Sequence, residues 1–343
     1  MGLAIKDLVP AEEIKIPDLK NKWLVVDTFN LLYQFLTTIR SRDGTPLQDS
    51  KGNLTSHLVG LFARTTRLME EGLKLAFVFD GIPPKLKQEE RERRKAIKAE
   101  AEKQYKIAVK EQDIDAMKKF ASRTVRLTPE VIAEAKLLLS ALGLPIIQAP
   151  SEGEAQAAFM VQQGDAYAVV SQDYDSLLHG STILVRNLSI AGRRKRASKA
   201  SFETIQPERI TLQKFLSTLN ITPDQLIALA MLVGTDYNKG GIKGIGPKNA
   251  IKLVSKHKNN FEALFEEVKW NDFYTLPWKK VFDTIKDMPV EKNYDLTIKE
   301  IDEKNIKDLL IEQHDFSEER VTNTLKKLEK LKSEQKQRTL GDF

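Results

Sequence analysis

APSEGEAQAAFMVQQGDAYAVVSQDYDSLL, residues 149–178, reads as loop, helix, strand and loop. The spacing predicts a helix over 152–163, stopped at Gly164, because glycine readily takes the left-handed conformation that closes a helix. The apolar run over 166–170 has the character of a strand buried on both faces, as in a parallel sheet. Glu152 and Glu154 flank the helix start, and Asp173 and Asp175 follow the strand end. Each pair has an ordinary explanation. Ser151-x-x-Glu154 fits a capping box, and Gln-Asp-Tyr-Asp fits a solvated turn. The other acids of the chain argue for more.

Outward from this stretch the same pattern repeats. Residues 23–27 (WLVVD) make a short apolar strand ending on Asp27, followed by a helical run through Asn30, Tyr33 and Phe35. Residues 75–80 (LAFVFD) make another, ending on Asp80 and followed by Gly81 and a Pro-Pro pair. Residues 145–149 form a third strand, just before Glu152 and Glu154. Helical patterns over 54–71 and 129–142 lie between them. Alternating strands and helices imply crossovers and a mostly parallel sheet with helices on both faces. In such sheets ligands bind beyond the carboxyl ends of the strands, where all six acids fall. Carboxylates so crowded need a cation, since like charges raise each other's pKa. Oxygen donors without His or Cys select Mg²⁺ or Mn²⁺. Two such ions can activate a water and stabilise the leaving oxygen of a phosphodiester. A general acid/base pair would use two acids, not six.

A seventh acid, Asp236, follows a helix expected over 223–233, capped by Thr222 with Pro223 at its first position. The glycine-rich run GGIKGIGPKNA, residues 240–250, then leads into another helix. Its turn at Gly244 and Gly246 is either an ordinary connection or a phosphate site, in which free backbone N–H groups and Lys248 hold a nucleic-acid backbone without reading bases. Two basic stretches add to this. KLKQEERERRKAIKAEAEKQYK, residues 85–106, is helix-prone and leaves directly from Asp80. Arg193, Arg194, Lys195, Arg196 and Lys199 sit between strand-like segments at 182–190 and 201–205, as the tip of a hairpin suited to phosphate contacts.

The net charge of +6 suits an acidic partner, and a hydrophobic content of 41% over 343 residues allows a sizeable core. No stretch has the apolar length of a membrane span. The absence of cysteine excludes disulfides and thiolate metal sites. An intracellular protein, in a prokaryotic cytoplasm or a nucleus, is expected.

Together these segments resemble a flap endonuclease of the archaeal and eukaryotic type, within the xeroderma-group-G family of structure-specific 5′ nucleases. The resemblance rests on Val26-Asp27 through Tyr33-Gln34-Phe35-Leu36, Asp43-Gly44-Thr45-Pro46-Leu47 and Val78-Phe79-Asp80-Gly81. It continues through Ala149 to Ala155, Ser171 to Asp175, Leu184 to Leu188 and Gly234-Thr235-Asp236-Tyr237, in the family's order. Thr28, Phe29 and Ile82 depart from the usual pattern.

The resemblance implies a PIN-like nuclease fold with a helical arch and a helix-turn-helix element. A single nuclease unit would cover 1–330: an N-terminal half to 80, the arch over 81–126, a second half over 127–258 and a helical part over 259–330. A flexible tail would occupy 331–343. Asp27, Asp80, Glu152, Glu154, Asp173, Asp175 and Asp236 would hold two Mg²⁺ ions, with Mn²⁺ as a substitute. Lys87 and Arg94 would act on the scissile phosphate, Tyr33 would stack a base, and Gly2 would lie near the active centre. Arg64, Arg67, Arg193 to Arg196, Gly234, Gly244, Gly246 and Lys248 would contact DNA, with a K⁺ ion at the helix-turn-helix.

The expected partner is branched DNA with a 5′ flap, cleaved by a monomer in Okazaki fragment maturation and repair, with some 5′-3′ exonuclease action. Two readings stay open beside it: another exonuclease, bubble or junction member of the family, and a non-catalytic scaffold. At the end of the chain, Ser317 should cap an amphipathic helix carrying Val321, Leu325, Leu328 and Leu331, with a mobile polar tail past Lys332. Gln337, Leu340 and Phe343 resemble the box that docks on a sliding clamp through one 3₁₀ turn, although the second aromatic is missing.

Overall fold

The computed structural model describes residues 5–41, 44–111, 113–121, 124–195 and 202–341. Its strands, in chain order, are β1 (Glu12–Glu13), β2 (Trp23–Asp27), β3 (Lys74–Phe79), β4 (Ile146–Gln148), β5 (Ala168–Val170), β6 (Ile183–Arg186), β7 (Gly192–Lys195), β8 (Phe202–Ile205) and β9 (Glu208–Thr211). Seven form one sheet in the order β1-β9-β6-β5-β2-β3-β4. The five strands from β2 to β6 run parallel, and β9 and β1 close one edge antiparallel. All four strands read from their acids are present. β5 is shorter than the apolar run suggested, because Ala166 and Tyr167 still belong to the approach.

Period-2 alternation divides the core. Leu24 and Val26 of β2, with Leu75, Phe77 and Phe79 of β3, pack against helices Ser56–Glu70 and Pro129–Ala141 through Leu58, Leu61, Leu138 and Leu139. Val25, Ala76, Val78 and Val169 face the other way, toward Ala157, Met160 and Met231 of helices Gly153–Gln162 and Pro223–Val233. Strands buried on both faces read as unbroken apolar runs, which is why residues 23–27 and 75–79 stand out in the sequence.

From β2 the chain steps through β3 to β4, then returns to the other side of β2 to lay down β5. That reversal is the topological switch point, where parallel sheets open a crevice. Register puts the strand ends level: Asp27 pairs with Val78, Val26 with Val170 and Phe79 with Gln148. Acids that follow these four neighbouring strands must therefore meet.

Three expectations are corrected. The first part of the basic run lies in a strand and not at a hairpin tip. Arg193, Arg194 and Lys195 lie within β7, paired to Thr204, Glu203 and Phe202 of β8 in a separate two-stranded sheet. Residues 182–190 instead supply β6, the fifth parallel strand. Asn187, at φ 61°, ends it in the left-handed conformation that asparagine tolerates. Secondly, the capping box at Ser151 does not form: Glu152 is the N-cap without a side-chain cap, and the Ser151 hydroxyl donates to the Ile82 carbonyl at 3.1 Å. Thirdly, the last helix does not stop near Lys332 but runs over Glu318–Gly341. The intervening Glu, Gln, Lys and Arg residues are good helix formers, and no breaker precedes Gly341. Ser317 does cap it, accepting from the Arg320 amide, and Val321, Leu325 and Leu328 are buried. Gly2, Asp43, Arg196, Lys199 and Phe343 lie outside the described residues.

Candidate active site

Asp27, Asp80, Glu152, Glu154, Asp173, Asp175 and Asp236 line one open cleft of about 530 Å³ beyond the strand ends, with Tyr33, Lys87 and Arg94. Size alone does not select it. A cavity of about 840 Å³ opens between residues 47–63 and 314–327, but only the smaller cleft gathers the acids.

Local structure holds the acids in place. Asp27 ends β2 and caps helix Thr28–Thr38, its Oδ1 accepting from the Asn30 amide at 3.1 Å and its Oδ2 from the Ser171 hydroxyl at 3.0 Å. The Asn30 side chain donates to Asp173 Oδ2 at 2.8 Å and accepts from the Gln172 amide, so one asparagine ties the ends of β2 and β5. Asp80 Oδ1 accepts from the Gly153 amide at 2.8 Å, at the start of the next helix. A Cβ on Gly153 would stand 2.6 Å from that same oxygen, so the contact requires glycine.

Asp236 comes from elsewhere. It sits in the turn after helix Pro223–Val233, where buried Asn238 accepts from the Thr235 hydroxyl at 2.6 Å and donates to the Met231 carbonyl. The Tyr274 hydroxyl braces the turn by donating to the Gly241 carbonyl at 2.7 Å.

The acids outnumber the nearby cations. Burial pushes Asp27 up to about 6, with Asp173 and Asp175 adding to it against the hydrogen bonds from Asn30 and Ser171. Burial likewise pushes Asp80 up to about 7, with Asp27 and Glu152 adding. Glu154 is raised well above the usual range by burial and then by Asp175. Two cations of the arch face them. Lys87 Nζ pairs with Glu152 and lies 3.2 Å from Asp236 Oδ2, and Arg94 Nη2 lies 2.5 Å from Asp236 Oδ1. Burial alone would depress the Lys87 ammonium, but Glu154 and Glu152 outweigh it and keep it protonated. Among the described residues, no three acidic or histidine side chains stand grouped to hold one metal ion, while Lys87 and Arg94 take up Glu152 and Asp236.

The arch rises from helices Gln88–Glu111 and Ile114–Ala121. Tyr33, 38% exposed, stands at the cleft mouth with Lys98 Nζ 5.0 Å above its ring. At the glycine turn, Gly246 is the N-cap of helix Pro247–His257, Gly244 has φ 86°, and a Cβ on either would meet open space. Lys248 is exposed beside it. Arg67 is tied to the Ala191 carbonyl at 3.0 Å, and Arg64 is half-buried near it.

Residues 4–101 match the XPG N-terminal domain and residues 143–236 match the XPG I-region. Over 333 residues the chain is 51% identical to flap endonuclease 1 of Hyperthermus butylicus, covering 96% of this chain and 95% of that one. The chain belongs to the flap endonuclease 1 family. Flap endonuclease 1 of Pyrococcus furiosus is 48% identical, with 100% and 99% covered. The structure of flap endonuclease-1 from Methanococcus jannaschii superposes with a TM-score of 0.76 at 40% identity, covering 97% of this chain and all of that one. The catalytic core of Rad2 in complex with DNA substrate shares the fold, with a TM-score of 0.69 at 23% identity. The chain is accordingly a structure-specific 5′ flap endonuclease.

Sequence reasoning for this flap endonuclease missed Asn30 and Ser171, which hold the acids without being acids. It also missed Glu90 and Lys239, which sit among the arch cations. Only the pairing of Glu90 had a signal, since Arg93 and Arg94 stand at i+3 and i+4 from it on a helix, and its burial had none.

Proposed function

We propose that this flap endonuclease cleaves the phosphodiester at the base of a 5′ flap with two Mg²⁺ ions, for which Mn²⁺ substitutes, held among Asp27, Asp80, Glu152, Glu154, Asp173, Asp175 and Asp236. What supports the reading is the excess of buried carboxylate in one cleft, with Asp27, Asp80 and Glu154 pushed toward protonation by burial and by one another. The donor set fits the ions: oxygen only, and short of positive charge. When bound, the ions supply an activated water and stabilise the leaving oxygen. Lys87 and Arg94 then exchange their carboxylate partners for the scissile phosphate and stabilise the charge developing on it.

Tyr33 offers a face on which a base stacks. Gly234, the Gly244–Gly246 turn and Lys248 hold duplex backbone, where a K⁺ ion would add positive charge toward the phosphates. Arg64, Arg67 and Arg193 to Arg196 add phosphate contacts. The enzyme works as a monomer built of one nuclease unit with a C-terminal tail, releasing the flap and leaving a nick, with some 5′-3′ exonuclease action. This suits Okazaki fragment maturation and repair. Gln337, Leu340 and Phe343 dock the tail on the sliding clamp. A labelled 5′-flap duplex tests the chemistry: cleavage should require Mg²⁺ and stop on chelation, and cleavage persisting in chelator would sink the metal assignment.

A further inference from the structure

Lys87, just before the arch helix, and Arg94 and Lys98 on it line the cleft, and Glu90 stands among them at helical spacing. One acid among three cations, facing seven carboxylates, is out of place on charge alone. Yet Glu90 is 8% exposed, whereas Arg91, Glu92 and Lys95 beside it are in solvent. Glu90 does not line the cleft. Arg93, Arg94 and Lys239 do, and Glu90 lies behind them.

Its carboxylate is fully used. Oε2 accepts from Arg93 Nε at 2.7 Å. Oε1 accepts from Arg93 Nη2 at 2.9 Å, Arg94 Nε at 2.7 Å and Lys239 Nζ at 3.3 Å. Burial works to raise its pKa, but the bonds from Arg93 and Arg94 outweigh it and keep the group ionised. Arg94 is thus held from two sides, with Nε on Glu90 and Nη2 on Asp236. A guanidinium is planar, so a partner on the Nε edge restricts where the Nη tip points. Lys239 belongs to the braced turn that carries Asp236, so the same carboxylate spans from the arch to that turn.

We infer that Glu90 is a positioning residue for flap cleavage: itself tied to Lys239 of the Asp236 turn, it aims the Arg94 guanidinium into the cleft. This rests on the reading that Arg94 acts on the scissile phosphate. When that phosphate takes the Nη tip from Asp236, Glu90 keeps its hold on the Nε edge, and the direction of the charge is preserved. Glu90 itself touches neither substrate nor reacting atoms.

The test is a double-mutant cycle on the full chain, read as single-turnover cleavage of a 5′-flap duplex at saturating enzyme with Mg²⁺. Glu90→Ala should slow the step about tenfold or more, with flap affinity within about twofold of the parent. In an Arg94→Ala background the same change should cost less than about twofold, because the residue acts through Arg94. Glu90→Gln keeps an acceptor for Arg94 Nε without the charge and should fall between, so it carries the test if the alanine variant folds poorly. Loss that multiplies with that of Arg94→Ala, or that appears only in affinity, overturns the assignment. So does a Glu90→Ala rate equal to the parent while Arg94→Ala is slow. An Arg94→Ala enzyme with the parent rate would instead overturn the role given to Arg94, and this inference with it.

Discussion

At one end of the sheet, seven carboxylates share a cleft with five cations, of which Lys87 and Arg94 pair with Glu152 and Asp236. Between helices Ser56–Glu70 and Pro129–Ala141, four other polar groups form a file in which acid and histidine alternate. Asp49 Oδ2 lies 3.0 Å from His314 Nδ1, Glu134 Oε1 lies 3.3 Å from His314 Nε2, and Glu134 Oε2 lies 2.9 Å from His57 Nε2. Both clusters hold acids at least partly withdrawn from water, and Asp27 and Asp49 respond in opposite ways. In the cleft, Asp27 and Asp80 are driven up to about 6 and about 7. In the file, burial pushes Asp49 up, but hydrogen bonds from Asn53, His314 and Lys51 outweigh it and bring it down to about 2. Asp49 finds its partners within the fold, although at the far end of the file the buried His57 Nδ1 has no hydrogen-bond partner among the described residues. In the cleft, Asp27 and Asp80 stay raised despite the hydrogen bonds they accept, and perturbed carboxyls gathered in one cleft are a mark of a functional site.

The largest expected effect tests the cleft directly. Asp173→Ala should lower flap cleavage by roughly a thousandfold or more, since a misplaced cation forfeits several kcal/mol of transition-state stabilisation. Flap affinity in a gel-shift assay should largely persist, and near-parental cleavage would remove Asp173 from the site.

The next effect concerns stability and its pH dependence. A carboxyl whose folded pKa is raised binds more protons folded than unfolded, so stability falls as pH rises from about 4 through about 7. In metal-free protein, Asp80→Asn should flatten that fall and add up to about 2–4 kcal/mol near pH 8, measured by denaturant melts across pH. A variant less stable than its parent at every pH would place Asp80 in the same class as Asp49. Asp49 has the opposite sign: its contribution is complete above about pH 4 and is lost as pH falls toward about 2.

The smallest effect tests the file. Glu134→Ala leaves two histidines short of an acid and should cost about 1–3 kcal/mol of stability, seen as a lower melting temperature. Cleavage per folded molecule should stay within about twofold of the parent. Intact stability would show that the file is decorative.

The two regions also differ in legibility. Six of the cleft acids could be read because each follows a short apolar strand, and strand ends on a parallel sheet share one edge. The file could not be read: Asp49, His57, Glu134 and His314 come from four separated segments with no common pattern. The arch helix was legible as helix-prone, but its mixed charges gave no sign that Glu90 would be buried among cations.

Local pattern by itself determined the strands β2 to β5, the helices between them, the seven acids and the glycine turn. These depend on periodicity, on turn residues and on the backbone freedom of glycine, all written within a few residues of each other. Only the tertiary structure decided that residues 183–186 would join the sheet as a fifth parallel strand while Arg193 to Lys195 paired elsewhere. It alone decided that Asn30 would bridge two strand ends, and that Glu90 would hold Arg94 across from Asp236. Strand partners and buried ion pairs depend on which distant surfaces meet once the core has closed, and a one-dimensional pattern does not carry that information.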